Sequence, residues 1–396
     1  MLSRCKRDNT RGGSHRETLR LWNHPPRDSL RDPAALLTKE GSLGCALCVS
    51  IRGITRRIMA NTKPGWRRTL AAVGSALLLA HGGGPSTASQ RPAATADNLE
   101  ILEVRPSFFM IASASANVGV QVGDDGVVVV DTGSASEAPG ILAAIKRISA
   151  KPIRYIINTG PDPDHVGGNE ALAKAGKRIF SGGGGRNEIL TTPIVSVEGV
   201  LKYVEAFPQI AIPNETFYYS RKYMYLNGEP IEVLSQPNAH TDGDAIAFFR
   251  RSDVVVAGDV LDTRQFPVID VARGGSIQGE IAALNRIVEL AVPSVPDATR
   301  EAGTIVVPGH GRLCDYYDVV EYTDMVTIIR DRVREQMKAG RSLAEVKAAQ
   351  PAKGYVGRYG NLGGTETTDR FIEAIYQGLS QGLSQGLSQG LSKEKP

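Results

Sequence analysis

Residues 158–168 read NTGPDPDHVGG, a loop sequence rich in Asp, Gly and Pro that contains one of the six histidines of the chain. It follows the apolar run Ile153–Ile157, which has the length and the β-branched character of a short buried strand. A carboxylate, Asp164, and an imidazole, His165, stand on adjacent residues, so both can turn to one cation. The two glycines at the end of the stretch let the next helix begin close by. The stretch therefore predicts a strand that ends in a metal-binding loop.

Histidine is scarce, with six in 396 residues. Three of these precede the part of the chain that has globular patterning. The other three each follow a predicted strand, beside Asp, Gly or Pro: His165, His240 and His310. Loops at strand ends are where a rigid scaffold presents ligands, so this placement favours one shared metal over three separate structural histidines.

Strand and helix patterns alternate on both sides of the loop. Before it, the predicted strands are Asn117–Val122 and Gly126–Val130, and Ala135–Ile148 has helical spacing. After it, the predicted strands are Phe217–Leu226, Ile231–Leu234, Ala245–Phe249, Val254–Ala257 and Ile305–Val307, and the predicted helices are Gln278–Ala291 and Val319–Lys338. Two such blocks in series predict two sheets packed face to face, with helices on the outer faces. Periodicity alone does not separate this arrangement from a doubly wound α/β sheet.

Short motifs at the strand ends occur in a fixed order. They are Asp131-Thr132-Gly133, Asp164-His165 with its glycines, His240, Gly258-Asp259 and Gly309-His310-Gly311. In this order they resemble the metallo-β-lactamase superfamily, from about Ile101 to Arg330. Four further stretches resemble a subgroup of general metallo-hydrolases: PNETF at 213–217, NAHTDGD at 238–244, GGSIQG at 274–279 and PGHGRLCD at 308–315. The resemblance implies an α+β fold, the four-layer αββα sandwich, with zinc at one rim and a zinc-bound hydroxide that attacks a carbonyl or similar electrophile.

The metal motif departs from the family pattern, His-x-His-x-Asp-His, at two positions. Gly160 stands where the first histidine belongs, and Asp162 stands where the second belongs. By the resemblance, one metal position is complete, and its ligands are Asp164, His165, His310 and the bridging Asp259. The other position keeps His240, Asp259 and Asp162 as a weak ligand. We therefore expect one zinc firmly bound and the second weak or absent, with iron and manganese also compatible with a mixed His/Asp set.

The resemblance also implies roles for the acidic residues. Asp164 and Asp162 are the predicted catalytic carboxylates, the first as a ligand of the metal that lowers the pKa of water from ~16 towards ~7. Asp162 is either the general base to that water or a ligand of the weak second metal. Asp131 is expected to hold the metal loop rather than to bind metal.

The predicted function is hydrolysis of a small-molecule ester, lactone, thioester or amide. Many β-lactamases of this fold have Cys or Ser where Asp259 lies, so the aspartate favours the broader hydrolase group over the β-lactamase alternative. A second alternative is a decayed pseudo-enzyme that keeps the fold and one bound ion without turnover.

Residues 59–88 have the layout of a bacterial export signal. Lys63, Arg67 and Arg68 precede the apolar run Thr69–Ala80, and small residues follow. The run is too short to span a bilayer as a stable helix, although an uncleaved membrane anchor is the alternative. The arginine pair permits a twin-arginine signal as well as a Sec signal. We expect a periplasmic or secreted protein with no stable membrane anchor after removal of the signal.

The remaining segments are assigned by composition. Residues 1–58 are expected to be a disordered extension or a mis-assigned start, and they carry twelve Lys/Arg against five Asp/Glu. Without them the net charge falls from +4 to −3, so no basic face suggests a nucleic-acid partner. The metallo-β-lactamase-type domain is expected over 99–340 and a helical extension over 341–376. The QGLS repeats in 377–396 are expected to be a disordered low-complexity tail.

Overall fold

The structure is a computed structural model, and it describes residues 99–179, 191–295, 303–360, 362 and 364–392. The predicted extension 1–58 and the predicted export signal 59–88 lie outside the described residues. In the described part, no helix has both the length and the apolar character needed to cross a membrane.

The first sheet contains seven strands in chain order. They are β1 (Glu100–Arg105), β2 (Phe108–Ala112), β3 (Asn117–Gly123), β4 (Gly126–Val130), β5 (Ile153–Ile157), β6 (Ile194–Val197) and β7 (Glu215–Phe217). Strands β1 to β4 form an antiparallel meander, whereas β4 to β7 are parallel. Parallel neighbours need crossover connections, and these contain α1 (Ala138–Ile148), α2 (Pro163–Val166) and α3 (Asn169–Ala175).

The second sheet contains five strands in the order β12-β11-β10-β9-β8. They are β8 (Arg221–Leu226), β9 (Glu229–Ser235), β10 (Ala245–Phe249), β11 (Val254–Asp262) and β12 (Ile305–His310). Only the β11 and β12 pair is parallel among the described strands of this sheet, and α4 (Ile277–Leu290) lies in its connection. Asn227 and Gly228 form the hairpin turn between β8 and β9, with φ values of 56° and 69° that suit these two residue types.

One strand prediction is wrong. The stretch Phe217–Leu226 is not continuous, because β7 ends at Phe217 in the first sheet and β8 begins at Arg221 in the second. The chain passes between the sheets at Tyr218 and Tyr219, whose exposed fractions are 72% and 63%. Both residue types favour strands, and neither Gly nor Pro marks the crossing, so the sequence pattern conceals it.

The central core lies between the two sheets. Phe108, Met110 and Val130 of the first sheet meet Val233 and Phe249 of the second in one buried cluster. The rings of Phe108 and Phe249 pack edge to face with centroids 4.8 Å apart. Alternate residues of each strand face this layer, and the other residues face the helices.

Helices cover both outer faces. α1 and α3 pack on the first sheet, through residues such as Ile141 and Leu172. α4, α5 (Tyr316–Lys338) and α8 (Gly364–Ser392) pack on the second, through residues such as Leu284, Val326 and Phe371. The prediction of an α+β, four-layer αββα sandwich is thereby confirmed, and the doubly wound alternative is wrong.

The C-terminal segment is helical. α6 (Leu343–Ala348) and α7 (Val356–Tyr359) precede α8, which continues through the QGLS repeats to Ser392. A disordered tail was expected over these repeats. Leu379, the leucine of the first repeat, packs against the core of the second sheet.

Candidate metal centre

The predicted site residues meet at one rim of the sandwich. β4 and β5 are parallel, and β9, β11 and β12 share one direction because β10 is antiparallel to both β9 and β11. Their carboxyl ends therefore present loops at the same edges of the two sheets. A cleft of about 120 Å³ opens there, lined by Asp162, Asp164, His240, Asp259, Asp262, Gln265, Val268 and His310.

The strand-end prediction for the histidines is correct in position but not in detail. His240 follows β9, before β10 begins. His165 lies in α2, one short loop beyond β5, and His310 is the last residue of β12 itself. The chain turns at Gly311, whose φ of 97° is in the left-handed region.

The first group of candidate metal ligands contains Asp164, His165 and His310. One ligand atom from each lies within 4.8 Å of the others. Asp259 joins this group, since its Oδ1 is 3.1 Å from Nε2 of both His165 and His310. His310 Nε2 is also 3.4 Å from Asp164 Oδ2. The four residues predicted for the complete metal position thus converge.

Asp131 orients His165 from the opposite side. It ends β4 with a φ of 62°, a conformation that Asp tolerates better than most residues. Its carboxylate accepts hydrogen bonds from the Thr159 amide at 2.8 Å and the Thr159 hydroxyl at 2.6 Å. It also accepts the Nδ1–H of His165 at 2.8 Å. Asp131 therefore lies where it holds the metal loop, behind the ligands.

This orientation leaves His165 Nε2 facing the cluster. The atom is buried, and no described residue forms a hydrogen bond with it. With the proton on Nδ1, Nε2 is an acceptor that faces the acceptor oxygens of Asp259. Such an arrangement is stable only with a cation or an additional proton between the two groups. The donor set and this unpartnered nitrogen fit a zinc ion.

Asp259 enters the cluster through an irregularity in β11. The pairing of β11 with β12 shifts register at Gly258, whose φ is 56°. A Cβ at this position would lie 2.3 Å from Thr159 Oγ1, so only glycine fits. β11 continues beyond the predicted Ala257 boundary to Asp262. Burial would raise the pKa of Asp259, but the facing histidines hold it well below its ordinary value.

The second group contains Asp162, His240 and Asp259, again with ligand atoms within 4.8 Å. His240 Nδ1 donates to the Val268 carbonyl at 2.7 Å, which turns Nε2 towards Asp162 Oδ2 at 2.8 Å. Asp259 Oδ2 lies farther away, 3.8 Å from the same Nε2. Asp162 thus takes a position beside His240, but its other oxygen is already occupied.

That other oxygen, Oδ1, accepts a hydrogen bond from the guanidinium of Arg273. Burial would raise the pKa of Asp162, but the hydrogen bonds from His240 and Arg273 lower it to about 2. A carboxylate of such low basicity is a poor proton acceptor at neutral pH. Arg273 was not anticipated, because no motif or spacing connects it with residues 158–168; its only signal is its place directly before GGSIQG.

Two buried acids behind the rim were also missed. Asp244 accepts hydrogen bonds from the Thr241 amide and hydroxyl, both at 2.7 Å, and burial raises its pKa to about 6. Glu280, in the first turn of α4, is fully buried, and neither carboxylate oxygen has a hydrogen-bond partner among the described residues. Burial raises the pKa of Glu280 well above its ordinary value.

Gly160 leaves space at the place of the absent histidine. A Cβ built there meets one described atom within 4 Å, Asp244 Oδ1 at 3.5 Å. This is ordinary contact, so the backbone accepts a side chain at this position. The histidine is therefore absent at position 160 because the sequence has glycine there, and not because the loop lacks room for a side chain.

Comparison with known proteins extends these observations. The family model of the Metallo-beta-lactamase superfamily matches residues 114–177, which include Asp131 and the 158–168 loop. No curated protein matches the chain in sequence.

Several solved structures are similar in fold. A metallo-beta-lactamase from Pontibacter korlensis is 18% identical, with 58% of this chain and 99% of that chain covered and a TM-score of 0.45. The stereoselective inverting sec-alkylsulfatase Pisa1 from Pseudomonas sp. is 16% identical, with 70% of this chain covered and a TM-score of 0.50. A double mutant of the sec-alkyl sulfatase PisA1 is also 16% identical, with 70% of this chain covered and a TM-score of 0.51. The chain spans 50% of the length of each of these two sulfatase structures.

The matched segment and the two-sheet fold lead to the same assignment. The segment carries the strand and loop that supply Asp131, Asp164 and His165. The chain has the metallo-β-lactamase αββα fold, and its residues 114–177 match the family model of the Metallo-beta-lactamase superfamily.

Proposed function

We propose that the protein is a metal-dependent hydrolase with one firmly bound zinc ion. Asp164, His165, His310 and Asp259 would hold this ion. The observation that carries the proposal is the buried Nε2 of His165, which is unpartnered among the described groups and faces Asp259 at 3.1 Å. Zinc in such a site supplies Lewis-acid activation of water at neutral pH.

The protein side chains orient the ligands and handle the proton. Asp131 accepts the Nδ1–H of His165 and so holds the ring proton on that nitrogen, which leaves the Nε2 lone pair free to bind the ion. Asp162 and His240 share a hydrogen bond of 2.8 Å at the edge of the cleft. With Asp162 so weakly basic, His240 is the partner in this pair that holds the proton, and the pair is placed to release it to a leaving group.

The size and lining of the cleft support a small substrate. About 120 Å³ accommodates the reacting group rather than a whole large molecule, and carboxylates supply much of the lining. We therefore propose a small ester, lactone, thioester or amide as the substrate class. β-Lactam hydrolysis is a specific form of this reaction.

The experiment combines metal analysis with a substrate panel. The purified protein is expected to contain one zinc per chain and to hydrolyse members of a panel of lactones, thioesters, aryl esters and amides. A chromogenic cephalosporin tests β-lactamase activity, and a secondary alkyl sulfate tests the reaction named for the sulfatase structures above. One zinc without turnover on any substrate would favour the catalytically impaired alternative.

A matched pair of variants links turnover to the cluster. His310→Asn removes one ligand of the first group. Arg312→Gln, two residues later in the chain, breaks an exposed ion pair between Arg312 and Asp318. We expect His310→Asn to lose both zinc and turnover, and Arg312→Gln to keep both. Turnover that survives in His310→Asn would contradict the proposal.

We also propose that the enzyme acts in the periplasm or outside the cell. The support is the order of positive, apolar and small residues in 59–88. Expression of the full chain in a bacterium, followed by mass spectrometry of the periplasmic fraction, should show a new N-terminus near residue 88. A full-length chain that stays in the cytoplasmic fraction would contradict this.

A further inference from the structure

We propose that Arg273 takes the place of the second metal ion, so that the site is built to hold one ion only. This inference rests on the proposed function, because it concerns the metal content of the same centre. It goes beyond the loss of histidine at residues 160 and 162, since it assigns a positive role to a residue outside the ligand motif.

Both carboxylate oxygens of Asp162 already have partners. One carboxylate oxygen, Oδ1, accepts the Nη1–H of Arg273, and the other, Oδ2, lies 2.8 Å from His240 Nε2. Asp162 is the residue that stands at the altered motif position. Both of its oxygens are therefore engaged, and a metal ion would have to displace one of these partners.

Asp270 and Tyr203 hold the Arg273 guanidinium in place. Nε of Arg273 donates to Asp270 Oδ2 at 2.7 Å, and the Arg273 amide donates to Asp270 Oδ1 at 3.0 Å. The guanidinium also lies over the ring of Tyr203, 5.6 Å from its centroid, and the Tyr203 hydroxyl donates to the Arg273 carbonyl at 3.1 Å. These contacts hold the cation in one place, so its charge at Asp162 is a permanent feature of the site.

The charge of Arg273 also opposes a metal ion at the second position. A divalent ion bound by Asp162, His240 and Asp259 would lie next to the Arg273 guanidinium, and two cations in a half-buried cleft repel each other. The first group is different, because its members contact Asp131 and one another, and no guanidinium contact to Asp164, His165 or His310 is found among the described residues. Arg273 thus opposes binding at the second position and leaves the first unaffected.

The experiment measures zinc stoichiometry by titration calorimetry of the metal-free full chain. We expect one zinc per chain for the unchanged protein and two for Arg273→Gln, because Asp162 then becomes available beside His240 and Asp259. Arg273→Met removes the same charge with a different side chain, and circular dichroism identifies which variant is folded. A folded variant of either kind suffices for the test.

Arg264→Gln is the matched control. Arg264 pairs with Asp262, which lines the same cleft but belongs to neither ligand group. The control should keep one zinc per chain. If Arg264→Gln also gains a second zinc, general loss of positive charge explains the gain, and the specific role of Arg273 is refuted.

The outcomes separate this inference from the proposed function. One zinc in both the unchanged protein and the folded Arg273 variants would refute the role of Arg273 and leave the hydrolase proposal standing. Two zinc ions in the unchanged protein would also refute it. No zinc in the unchanged protein would remove the basis of the proposed function itself.

Discussion

Replacement of Asp131 by Asn tests how the structure prepares His165 for metal. The two side chains have nearly the same shape, and Asn suits the φ of 62° at this position, so the backbone should not change. Asn can still accept the Thr159 amide through its oxygen. Its NH₂ group then replaces the oxygen that now accepts the Nδ1–H of His165 at 2.8 Å. A donor facing Nδ1 moves the ring proton to Nε2, which is the atom that would bind the metal.

The size of the effect follows from this change of tautomer. Loss of a carboxylate partner behind a metal-binding histidine typically weakens metal affinity by about 10 to 100-fold. At about 1.4 kcal/mol for each factor of ten, this corresponds to about 1.4 to 2.8 kcal/mol of metal-binding free energy. Zinc competition against a chromophoric chelator measures it directly, and circular dichroism checks the fold.

Asp253→Asn is the matched control for this prediction. Asp253 also has a positive φ, 55°, and its carboxylate accepts the Thr304 hydroxyl at 2.7 Å, but it belongs to neither ligand group. The control should leave zinc affinity unchanged. Unchanged affinity in Asp131→Asn, or an equal loss in both variants, would refute the role given to Asp131.

Three further predictions concern buried groups and the altered motif. The pKa of Glu280 is raised well above its ordinary value of 4.5, so above pH 4.5 the side chain keeps its proton in the folded state and loses it in the unfolded state. The unfolding free energy of the metal-free protein should therefore fall by about 1.4 kcal/mol per pH unit until the raised pKa is reached. Glu280→Gln should abolish that slope in urea unfolding from pH 5 to 8; parallel curves for the two proteins would contradict it. Phe249→Ala should lower the unfolding free energy by about 3 to 5 kcal/mol, because Phe249 fills the layer between the sheets, and a loss below about 1 kcal/mol would exclude that packing. Gly160→His combined with Asp162→His should raise occupancy at the second metal position and speed turnover, most strongly when Arg273→Gln is added, as measured by zinc content and initial rates. Occupancy that stays unchanged even with Arg273→Gln would show that the loop is wrongly assigned.

The fold was predictable because local patterns and long-range packing agree in most of the chain. The GVVVV strand, buried at all five residues, and the helix after it could be placed from periodicity alone. The crossing between sheets at Tyr218 and Tyr219 was not predictable, since both sides of it favour extended structure. The helix through the QGLS repeats was not predictable for a different reason, because a four-residue period matches neither a coiled-coil seam nor a solenoid repeat.

The site was predictable only as far as its motifs extend. Neighbouring glycines and strand ends identify Asp164, His165 and His310 as candidate site residues in the sequence. Arg273 and Glu280 do not, because their roles depend on which loops meet in three dimensions. The pairing of Arg273 with Asp162 joins two loops from opposite halves of the domain, and no sequence spacing specifies it.

A crystal structure of the zinc-loaded protein, with anomalous data collected at the zinc edge, would locate the metal ion directly. We expect a single anomalous peak per chain, about 2.0 to 2.2 Å from ligand atoms of Asp164, His165, Asp259 and His310. Absence of a peak among these four side chains, or a stronger peak between Asp162 and His240, would contradict it.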